Sequence, residues 1–361
     1  MAVLGAHILD VLGRPVAGIP PGQGSARLEE IRATAAGTAA GTGVDLAKLG
    51  APVRAIGALG TDLIGDIVIA AMRQHGVDTA GLVRKPGVQT SATILPIRAD
   101  GSRPALHVPG AIARLELADI DLEQVRDVAA LVVGAPDALG AFAGDGLAQV
   151  VAAARSGGAL IMTDVLYPGS RSGLDRLSGL LASADWFCPN DSQLLALTGR
   201  GDLAPAISDV LALGTGGIAV TLGADGALVA WAGGPGSPGG GEPVHVPAAQ
   251  AAVVDTTGCG DGFTAGMLTG LLAGAHPADA AWLGVACGSL VATGLGSDAG
   301  ITGLGQVLAY LAGQQPGPAA RLAAAMQQAP GQHAGGQDSG SQATAGLARS
   351  VPARSGSGRG G

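Results

Sequence analysis

Short runs of apolar residues alternate along the chain with alanine-rich segments of helical length. The runs at 129–133, 159–162 and 218–221 carry no charge and have the length of buried parallel strands. Glycine-rich turns separate them from segments such as 145–156 and 203–213, which are typical of helices. This alternation predicts an α/β fold with a doubly wound, mostly parallel sheet flanked by helices.

One part of the chain departs from this rhythm. Two strand-like runs, 90–98 and 103–108, flank Asp100-Gly101, a dipeptide that favours a tight hairpin turn. The polar stretch 11–34 offers further candidate strands. We therefore expect a small β-sheet lid on the α/β body, with its strands lying within 11–34 and 88–109.

The end of the chain has a different composition. From Pro316 onward, Gln, Gly, Ser, Ala and Pro replace the runs of Val, Leu and Ile. Such a segment has too few large apolar side chains to bury the surface that folding requires. We therefore predict one domain over 1–315 and a low-complexity, disordered tail over 316–361.

The charge balance and the cysteines limit the kinds of partner and compartment. With 28 acidic and 20 basic residues the formal net charge is −8, so nucleic acid is not an expected partner. Cys188, Cys259 and Cys287 form no C-x-x-C pair and fit neither a disulfide framework nor a standard zinc site. They are typical of a reducing compartment, and we expect a cytoplasmic protein.

Two apolar segments raise the question of export or membrane insertion. The N-terminal run has no basic residue before it and ends at Asp10, so we expect no signal peptide. The uncharged run 280–297 contains Gly284, Gly288 and Ser289 and is too small and polar for a span that faces lipid. We expect a buried helix there and no membrane partner.

The segment 255–268, DTTGCGDGFTAGML, carries the clearest chemical signal. The apolar run 251–254 predicts a strand, the glycines predict a tight turn, and the small residues from Asp261 onward predict a helix. The N–H groups of Gly258, Cys259 and Gly260 would then point out of the helix N-terminus, where the helix dipole favours an anion. Beside them, the Asp261 carboxylate is placed to take a proton from a substrate hydroxyl.

An acid beside an anion-binding turn suits phosphoryl transfer to an alcohol. The acid removes the hydroxyl proton, and the N–H groups stabilise the charge on the transferred group. The alternative is structural, because an Asp that caps a helix after a glycine turn is common. Taken alone, the segment leaves both interpretations open.

Other motifs in a fixed order favour the catalytic interpretation. The segment 255–268 is similar to the second signature of the ribokinase-like (PfkB-type) carbohydrate kinases, and 36–65 is similar to the family's first signature and the part that follows it. Smaller similarities lie at 5–10, 189–190 and 221–226. The resemblance, over about 1–310, implies the ribokinase-like fold and ATP-dependent phosphorylation of a hydroxyl on a sugar or sugar derivative.

The resemblance also implies roles for individual residues. Asp261 would be the general base, and Gly258, Cys259 and Gly260 the anion hole. The substrate-binding residues would be Asp10, Gly37, Gly41 and Thr42. The ATP-binding residues would be Asn190, Thr221, Gly223, Gly226, Asp255 and Thr256. The implied cofactors are ATP and Mg²⁺, with a monovalent cation near Asp255 and Thr256 in some members, and the implied partners are a small sugar and, through the lid, a second copy of the chain.

Four departures from the family pattern leave the substrate and the turnover open. Gly41 stands where the family usually has a sugar-binding Asn. Gln193 replaces the Glu of N-x-x-E, so either Asp191 supplies the charge near magnesium or turnover is slower. The D-x-N-x-R pattern survives only as Asp164. Cys259 is either a tolerated small residue, which we favour, or an oxidation-sensitive thiol whose pKa the helix N-terminus lowers.

Two other functions stay open. One is a nucleoside kinase of the same fold, against which the 2% aromatic content counts mildly because a purine favours stacking partners. The other is a sugar- or nucleotide-binding regulator that has lost efficient catalysis, suggested by Gly41 and Gln193. Leu46 replaces the third glycine of a dinucleotide fingerprint, and the sequence has no Walker motif.

Overall fold

A nine-stranded sheet forms the centre of the computed structural model, which describes residues 1–99, 101–167, 171–233 and 242–328. In spatial order its strands are β13 (Val244–Val246), β12 (Ala227–Trp231), β11 (Gly217–Thr221), β10 (Trp186–Phe187), β9 (Leu160–Asp164), β8 (Ala130–Gly134), β1 (Ala2–Gly5), β4 (Arg54–Gly60) and β5 (Asp78–Lys85). The strands from β11 to β5 run parallel to one another, β12 is antiparallel to β11, and β13 is antiparallel to β12. The predicted mostly parallel sheet is confirmed.

Helices cover both faces of this sheet because successive strand residues point to opposite sides. Val3 and Val132 pack with one group of helical residues that includes Ala265 and Leu283, whereas the next residue along the chain, Leu4, packs with a separate group. The helices are α1 (Thr38–Lys48), α2 (Leu63–Gln74), α3 (Leu122–Arg126), α4 (Asp145–Ser156), α5 (Arg171–Ser183), α6 (Asp191–Thr198), α7 (Leu203–Ala212), α8 (Cys259–Leu272), α9 (Pro277–Val291), α10 (Leu304–Gln314) and α11 (Pro316–Gln328).

A second, four-stranded sheet lies in the order β3 (Glu30–Ala36), β2 (Ile8–Arg14), β6 (Ala92–Pro96) and β7 (Leu106–Val108). β2 is antiparallel to β3 and parallel to β6, and β6 is antiparallel to β7. This sheet is the predicted lid, with β2 beginning slightly earlier than expected. The connection from β6 to β7 forms the expected hairpin, although Asp100 lies outside the described residues.

One predicted strand is wrong. Residues 251–254, expected to form the strand before the glycine turn, are in no strand, and Val253 is 66% exposed. The sheet ends instead at β13, and the N–H of Val254 donates to the carbonyl of Ala292, which follows α9. The run is therefore a connection that leads across the sheet edge to α8.

The boundary of the folded part also differs from the prediction. Helix α11 occupies 316–328, which the composition assigned to the tail, and residues 1–328 form one compact unit. Ala319 and Leu322 are buried, and the Arg321 guanidinium makes two hydrogen bonds with the Asp279 carboxylate of α9, at 2.6 and 2.8 Å. In α11, a narrow stripe of apolar side chains among polar and small residues is enough to pack the helix against the domain. The rest of the predicted tail lies outside the described residues.

The uncharged run 280–297 falls largely within α9, which is buried along most of its length. Among the residues that the structure describes, no helix combines the length and apolar character needed to cross a bilayer.

Candidate active site

The candidate base, Asp261, lies in the first turn of α8, where α8 packs against α1. Only 8% of the residue is exposed. Its carboxylate lies directly against Gly41 of α1, so closely that a Cβ added at Gly41 would be 2.3 Å from Asp261 Oδ2. Gly41, at the position where the family usually has Asn, therefore provides the space that the Asp261 carboxylate occupies.

The turn before α8 requires glycine at one position. Gly258 caps α8 with a φ of 81°, in the left-handed region, and a Cβ there would lie 2.5 Å from the Ser297 Cα. Backbone atoms from two segments approach so closely that no side chain fits. As predicted, the glycine-rich stretch forms a tight turn at a helix N-terminus.

The N–H groups at this turn differ from the prediction in one respect. The N–H of Cys259 donates to the carbonyl of Thr256, at 3.4 Å, so it is not fully free for an anion. Within the described part of the chain, the N–H groups of Gly258 and Gly260 have no acceptor. These two groups, with the dipole of α8, are the best placed to bind a negative charge.

Two acids and one arginine set the electrostatics of the site. The pKa of Asp261 is raised to about 7, chiefly by burial and also by the Asp10 carboxylate, against the opposing charge of Arg103. Burial also raises the pKa of Asp10 to about 6, against hydrogen bonding from Thr93 and the charge of Arg103. Asp261 can therefore bind or release a proton near neutral pH, as a general base must.

The other predicted substrate residues, Asp10, Gly37 and Thr42, lie in three different environments. Asp10 lies on β2 of the lid, close enough to Asp261 and Asp255 for their charges to interact. Gly37 begins α1 with a φ of 87°, and a Cβ there would lie 2.8 Å from the Ala6 carbonyl. Thr42 has no exposed surface, and nothing in the geometry supports a substrate contact by its side chain.

Residues predicted to bind nucleotide lie at the carboxyl edge of the sheet. Asn190 follows β10 and forms an isolated bridge with Thr221 at the end of β11. Gly223 and Gly226 form the turn into β12, both with positive φ. Because neighbouring strands are about 4.8 Å apart, β11 ends roughly 10 Å from β9, whose last residue, Asp164, interacts electrostatically with Asp261.

The Asp255 carboxylate holds together the loops around the turn. One oxygen accepts hydrogen bonds from the N–H and the hydroxyl of Thr257, and the other accepts from the Gly296 N–H at 3.0 Å. The Thr256 hydroxyl accepts a hydrogen bond from Arg103, at 3.3 Å. Asp255 thus has a structural role, and its contact with nucleotide stays a prediction.

At the position where the family has Glu, the amide of Gln193 makes hydrogen bonds through both its oxygen and its nitrogen. Its amide oxygen accepts the N–H of Asn190 at 2.8 Å, which completes a reciprocal cap at the start of α6. Its amide nitrogen donates to the carbonyls of Val165 and Leu166, at 2.9 and 3.4 Å. A glutamate could not make these last two bonds because it has no N–H.

The oxidation hypothesis for Cys259 is wrong in its premise. The pKa of the thiol is raised to about 12, chiefly by burial and also by the carboxylates of Asp255 and Asp261, although the charge of Arg103 lowers it. Desolvation and nearby negative charge outweigh the helix dipole. The thiol stays protonated and behaves as a small side chain.

The sequence did not single out three residues that face this site. Arg103 lies in the lid hairpin, and its charge lowers the pKa of Asp10, Cys259 and Asp261. Thr93 and His107 lie on β6 and β7, directly opposite each other in the lid sheet. Their positions within alternating strands were the available signal, but strand pairing is needed to show which face carries them.

The donor groups fit a magnesium ion that arrives with a nucleotide. In the described ranges, no three His, Cys, Asp or Glu side chains are grouped to hold a metal. Mg²⁺ needs only one or two carboxylates when phosphate oxygens and water supply its other ligands. Asp164 at the end of β9 and Asp191 at the start of α6 are two carboxylates near this edge.

Comparison with known proteins agrees with this geometry. The sequence profile of the family described as pfkB family carbohydrate kinase matches residues 1–302. The 2-dehydro-3-deoxygluconokinase of Bacillus subtilis (strain 168) is 26% identical over 289 residues, which cover 78% of this chain and 87% of that protein. Fructokinase-1 of Oryza sativa subsp. japonica is 26% identical over 240 residues, covering 64% and 72%.

Solved structures share the same architecture. Arabidopsis thaliana ribokinase complexed with ribose and ATP superposes with a TM-score of 0.71 and 25% identity, covering 86% of this chain and 97% of that one. An E. coli protein described as ribokinase II, in complex with ATP and Mg²⁺, has a TM-score of 0.73 and 22% identity, covering 86% and 98%. Since the family profile extends over most of the chain, from the first strand of the sheet through α9, this protein belongs to the pfkB family of carbohydrate kinases.

Proposed function

We propose that the enzyme transfers the γ-phosphoryl group of ATP to a hydroxyl of a sugar or sugar derivative, with Asp261 as the general base. The observation that carries the proposal is the Asp261 carboxylate itself: nearly buried, with a pKa raised to about 7, in the first turn of a helix that offers free N–H groups. The base would take the proton of the attacking hydroxyl, and the anion site beside it would stabilise the charge on the transferred phosphoryl group.

In the proposed reaction, the acceptor lies under the lid against Asp10. Asp261 takes the proton of the attacked hydroxyl, the hydroxyl oxygen forms a bond to the γ-phosphorus, and the bond from that phosphorus to ADP breaks. The N–H groups of Gly258 and Gly260 stabilise the negative charge on the transferred group. Mg²⁺ bound with the nucleotide, near Asp164 and Asp191, would neutralise further phosphate charge.

The nucleotide would lie along the carboxyl ends of β10 and β11, where open α/β sheets bind their ligands. Asn190 and Thr221 line the phosphate side, and the turn at Gly223 and Gly226 borders the rest. The solved Arabidopsis thaliana ribokinase, complexed with ribose and ATP, supports ATP as the donor. We propose a cytoplasmic enzyme, which suits three free cysteines.

A panel of acceptors tests the proposal. ADP production would be measured with Mg-ATP and D-ribose, D-fructose, 2-dehydro-3-deoxygluconate or adenosine, for the wild type and for Asp261→Asn. We expect turnover with at least one sugar, a loss of about a hundredfold or more in kcat for the variant, and ATP binding within a few-fold of wild type. Turnover with adenosine alone would indicate a nucleoside kinase. ATP binding without turnover would indicate a regulator.

We also propose that a monovalent cation near Asp255 and Thr256 adjusts the anion site, as the family resemblance implies. The Asp255 carboxylate already joins two loops around the turn, so a cation there would act on the position of Gly258. Turnover in potassium, sodium and tetramethylammonium chlorides at equal ionic strength tests this. Equal kcat in all three salts would contradict it.

We propose that a second copy of the chain covers the outer face of the lid. Ile31, Ile94 and Leu106 are 69%, 57% and 57% exposed on the lid strands, and Val108 adds to the same apolar surface. Exposed apolar patches of this kind mark interaction surfaces. Light scattering after gel filtration should give a dimer for wild type and a monomer for Ile94→Asp; a wild-type monomer would contradict the proposal.

A further inference from the structure

A surface cavity lies where the chain passes between the α/β body and the lid. Its volume is about 250 Å³, and the residues that line it are Lys85, Pro86, Gly87, Val88, Arg114 and Glu116. Lys85 ends β5, from which the chain continues to β6 of the lid, and the chain returns from β7 to a short 3₁₀ helix that ends at Arg114. The cavity therefore lies between an outgoing and a returning segment, and none of its lining residues is among those assigned to the active site.

The outgoing and returning segments are in direct contact next to the cavity. A Cβ added at Gly110, the first residue of the 3₁₀ helix, would lie 2.5 Å from the backbone nitrogen of Ser91, and the Ser91 hydroxyl donates to the carbonyl of Val108 at 3.0 Å. The N–H and the hydroxyl of Thr90 donate to the Asp62 carboxylate of the body, at 2.7 and 2.6 Å. A shift of the lid relative to the body would therefore change the geometry of these segments and of the cavity between them.

The cavity holds one positive charge that the protein does not neutralise. Asp119 pairs with the Lys85 ammonium group at 2.6 Å, and Glu116 lies 3.6 Å from the same group. Arg114 is exposed and has no hydrogen bond or ion pair with any residue that the structure describes. Its guanidinium presents a planar fork of donors that matches a carboxylate. Val88 packs against the core and adds apolar surface beside this charge.

The remaining acid in the lining limits the charge of a ligand. The Glu116 side chain is 74% exposed and repels anions. A phosphate monoester carries about 1.5 to 2 negative charges at pH 7, so Glu116 opposes it more strongly than it opposes a single carboxylate. The volume of about 250 Å³ lies just below the range of about 300–1,000 Å³ that is typical of ligand pockets. The lining therefore suits a small acid with one carboxylate.

We propose that this cavity is a regulatory site for a small monocarboxylic acid, whose carboxylate binds Arg114 and whose carbon chain lies on Pro86 and Val88, and that its binding favours the lid position of this structure. In this position Arg103 of the lid donates to the Thr256 hydroxyl beside the anion site, at 3.3 Å. A ligand that contacts both segments binds best at their present separation, so it shifts the population toward this lid position. The acceptor is then held more tightly. This last step rests on the proposed function, since it requires an acceptor under the lid.

Calorimetric titration tests the site without requiring turnover. The probes are pyruvate, L-lactate and 2-oxobutyrate, with inorganic phosphate for comparison, all at equal ionic strength. At least one acid should bind wild type with a Kd of about 1 mM or tighter, and phosphate should bind more weakly. Arg114→Gln should weaken the binding of that acid about tenfold or more, because a charge-assisted hydrogen bond is lost. Glu116→Gln should tighten it, because an opposing charge is removed.

Arg27→Gln is the matched control. Arg27 is also exposed and also without a partner among the described residues, but it lies in the connection from β2 to β3, away from the cavity lining. Its replacement should leave the Kd of the acid unchanged. The control separates the loss of one particular guanidinium from a general loss of positive charge.

Steady-state kinetics tests the effect on the lid. A saturating concentration of the acid should lower the KM of the phosphorylated sugar about fivefold or more in wild type and in Arg27→Gln, and should leave it unchanged in Arg114→Gln. If no acid binds, if phosphate binds more tightly than every acid, or if Arg114→Gln binds as wild type does, the site is overturned. Binding that leaves KM unchanged overturns the regulatory role. If wild type phosphorylates no sugar, the proposed function and the effect on KM fall together, while the titration still decides the site.

Discussion

The close approach of Gly41 to the proposed base, Asp261, predicts a variant whose activity falls much more than its stability. Gly41→Ala adds one methyl group inside α1, at a point 2.3 Å from Asp261 Oδ2 and 2.8 Å from its Cγ. Real Cβ atoms essentially never make contacts below 3.0 Å. The Asp261 carboxylate must therefore move by about 0.7 Å or more, or turn away from the acceptor.

The size of the effect follows from this displacement. A misplacement of about 1 Å in a reacting group costs about a hundredfold in rate, so we expect kcat to fall about ten- to hundredfold. That range corresponds to about 1.4–2.8 kcal/mol of lost transition-state stabilisation. Helix propensity acts the other way, because alanine in a helix interior is favoured over glycine by about 1 kcal/mol.

Steady-state kinetics and thermal unfolding of the same preparation measure both effects. Gly179→Ala is the matched control, since Gly179 also lies within a helix, α5, and a Cβ there would meet nothing within 4 Å. Gly179→Ala should raise Tm and leave kcat unchanged. Gly41→Ala should lower kcat without lowering Tm by more than a few degrees. Wild-type kcat in Gly41→Ala would contradict the assignment of this carboxylate as the base.

Further expectations concern charge and hydrogen bonding around the base. Because burial raises the pKa of Asp261 from an ordinary 3.8 to about 7, the folded state holds a proton that the unfolded state releases between those values, and stability falls as pH rises through this window. Chemical denaturation should therefore show Asp261→Asn more stable than wild type at pH 8 and equal to it near pH 4; a constant difference would contradict the pKa. Arg103→Gln removes a charge that lowers the pKa of Asp261, so the acidic limb of the kcat–pH profile should move to higher pH, whereas Arg98→Gln, in the same hairpin, should not move it. Gln193→Glu should lower the free energy of unfolding by about 1–3 kcal/mol without raising kcat, because a carboxylate would face the two carbonyls that the amide now satisfies; a faster enzyme would show that the missing acid limits turnover.

The local pattern of apolar and polar residues was enough to predict the helices and strands whose formation depends on their own sequence. The segment 145–156 coincides with α4, and the apolar runs at 129–133 and 218–221 lie within one residue of β8 and β11. In contrast, the run 251–254 has the composition of a strand but no place in the sheet, because β13 already forms the edge. The sequence pattern does not reveal whether another strand already occupies the edge of the sheet.

Chemistry that depends on distant pairings was also beyond the sequence. Asp261 was identifiable because its whole motif is one continuous segment of the sequence. His107 became visible only when β7 paired with β6, which aligned it with Thr93 and, through β2, with Asp10. The disfavoured alternative of a lowered thiol pKa at Cys259 is wrong because burial, which only the fold creates, is the largest cause of the raised pKa. Burial and long-range charge are properties of the fold.

The four glycines of α8 have a consequence for how the enzyme assembles. Gly260, Gly262, Gly266 and Gly270 each weaken an isolated helix by about 1 kcal/mol, so this segment has little tendency to be helical by itself. At Gly266 a Cβ would lie 2.6 Å from the Leu283 carbonyl, which shows that the backbones of α8 and α9 touch. α8 is stable because α9 lies against it. We therefore expect a nascent or truncated chain that lacks α9 to leave the turn at Gly258 and the Asp261 carboxylate unplaced, so that activity would arise only after the C-terminal helices fold.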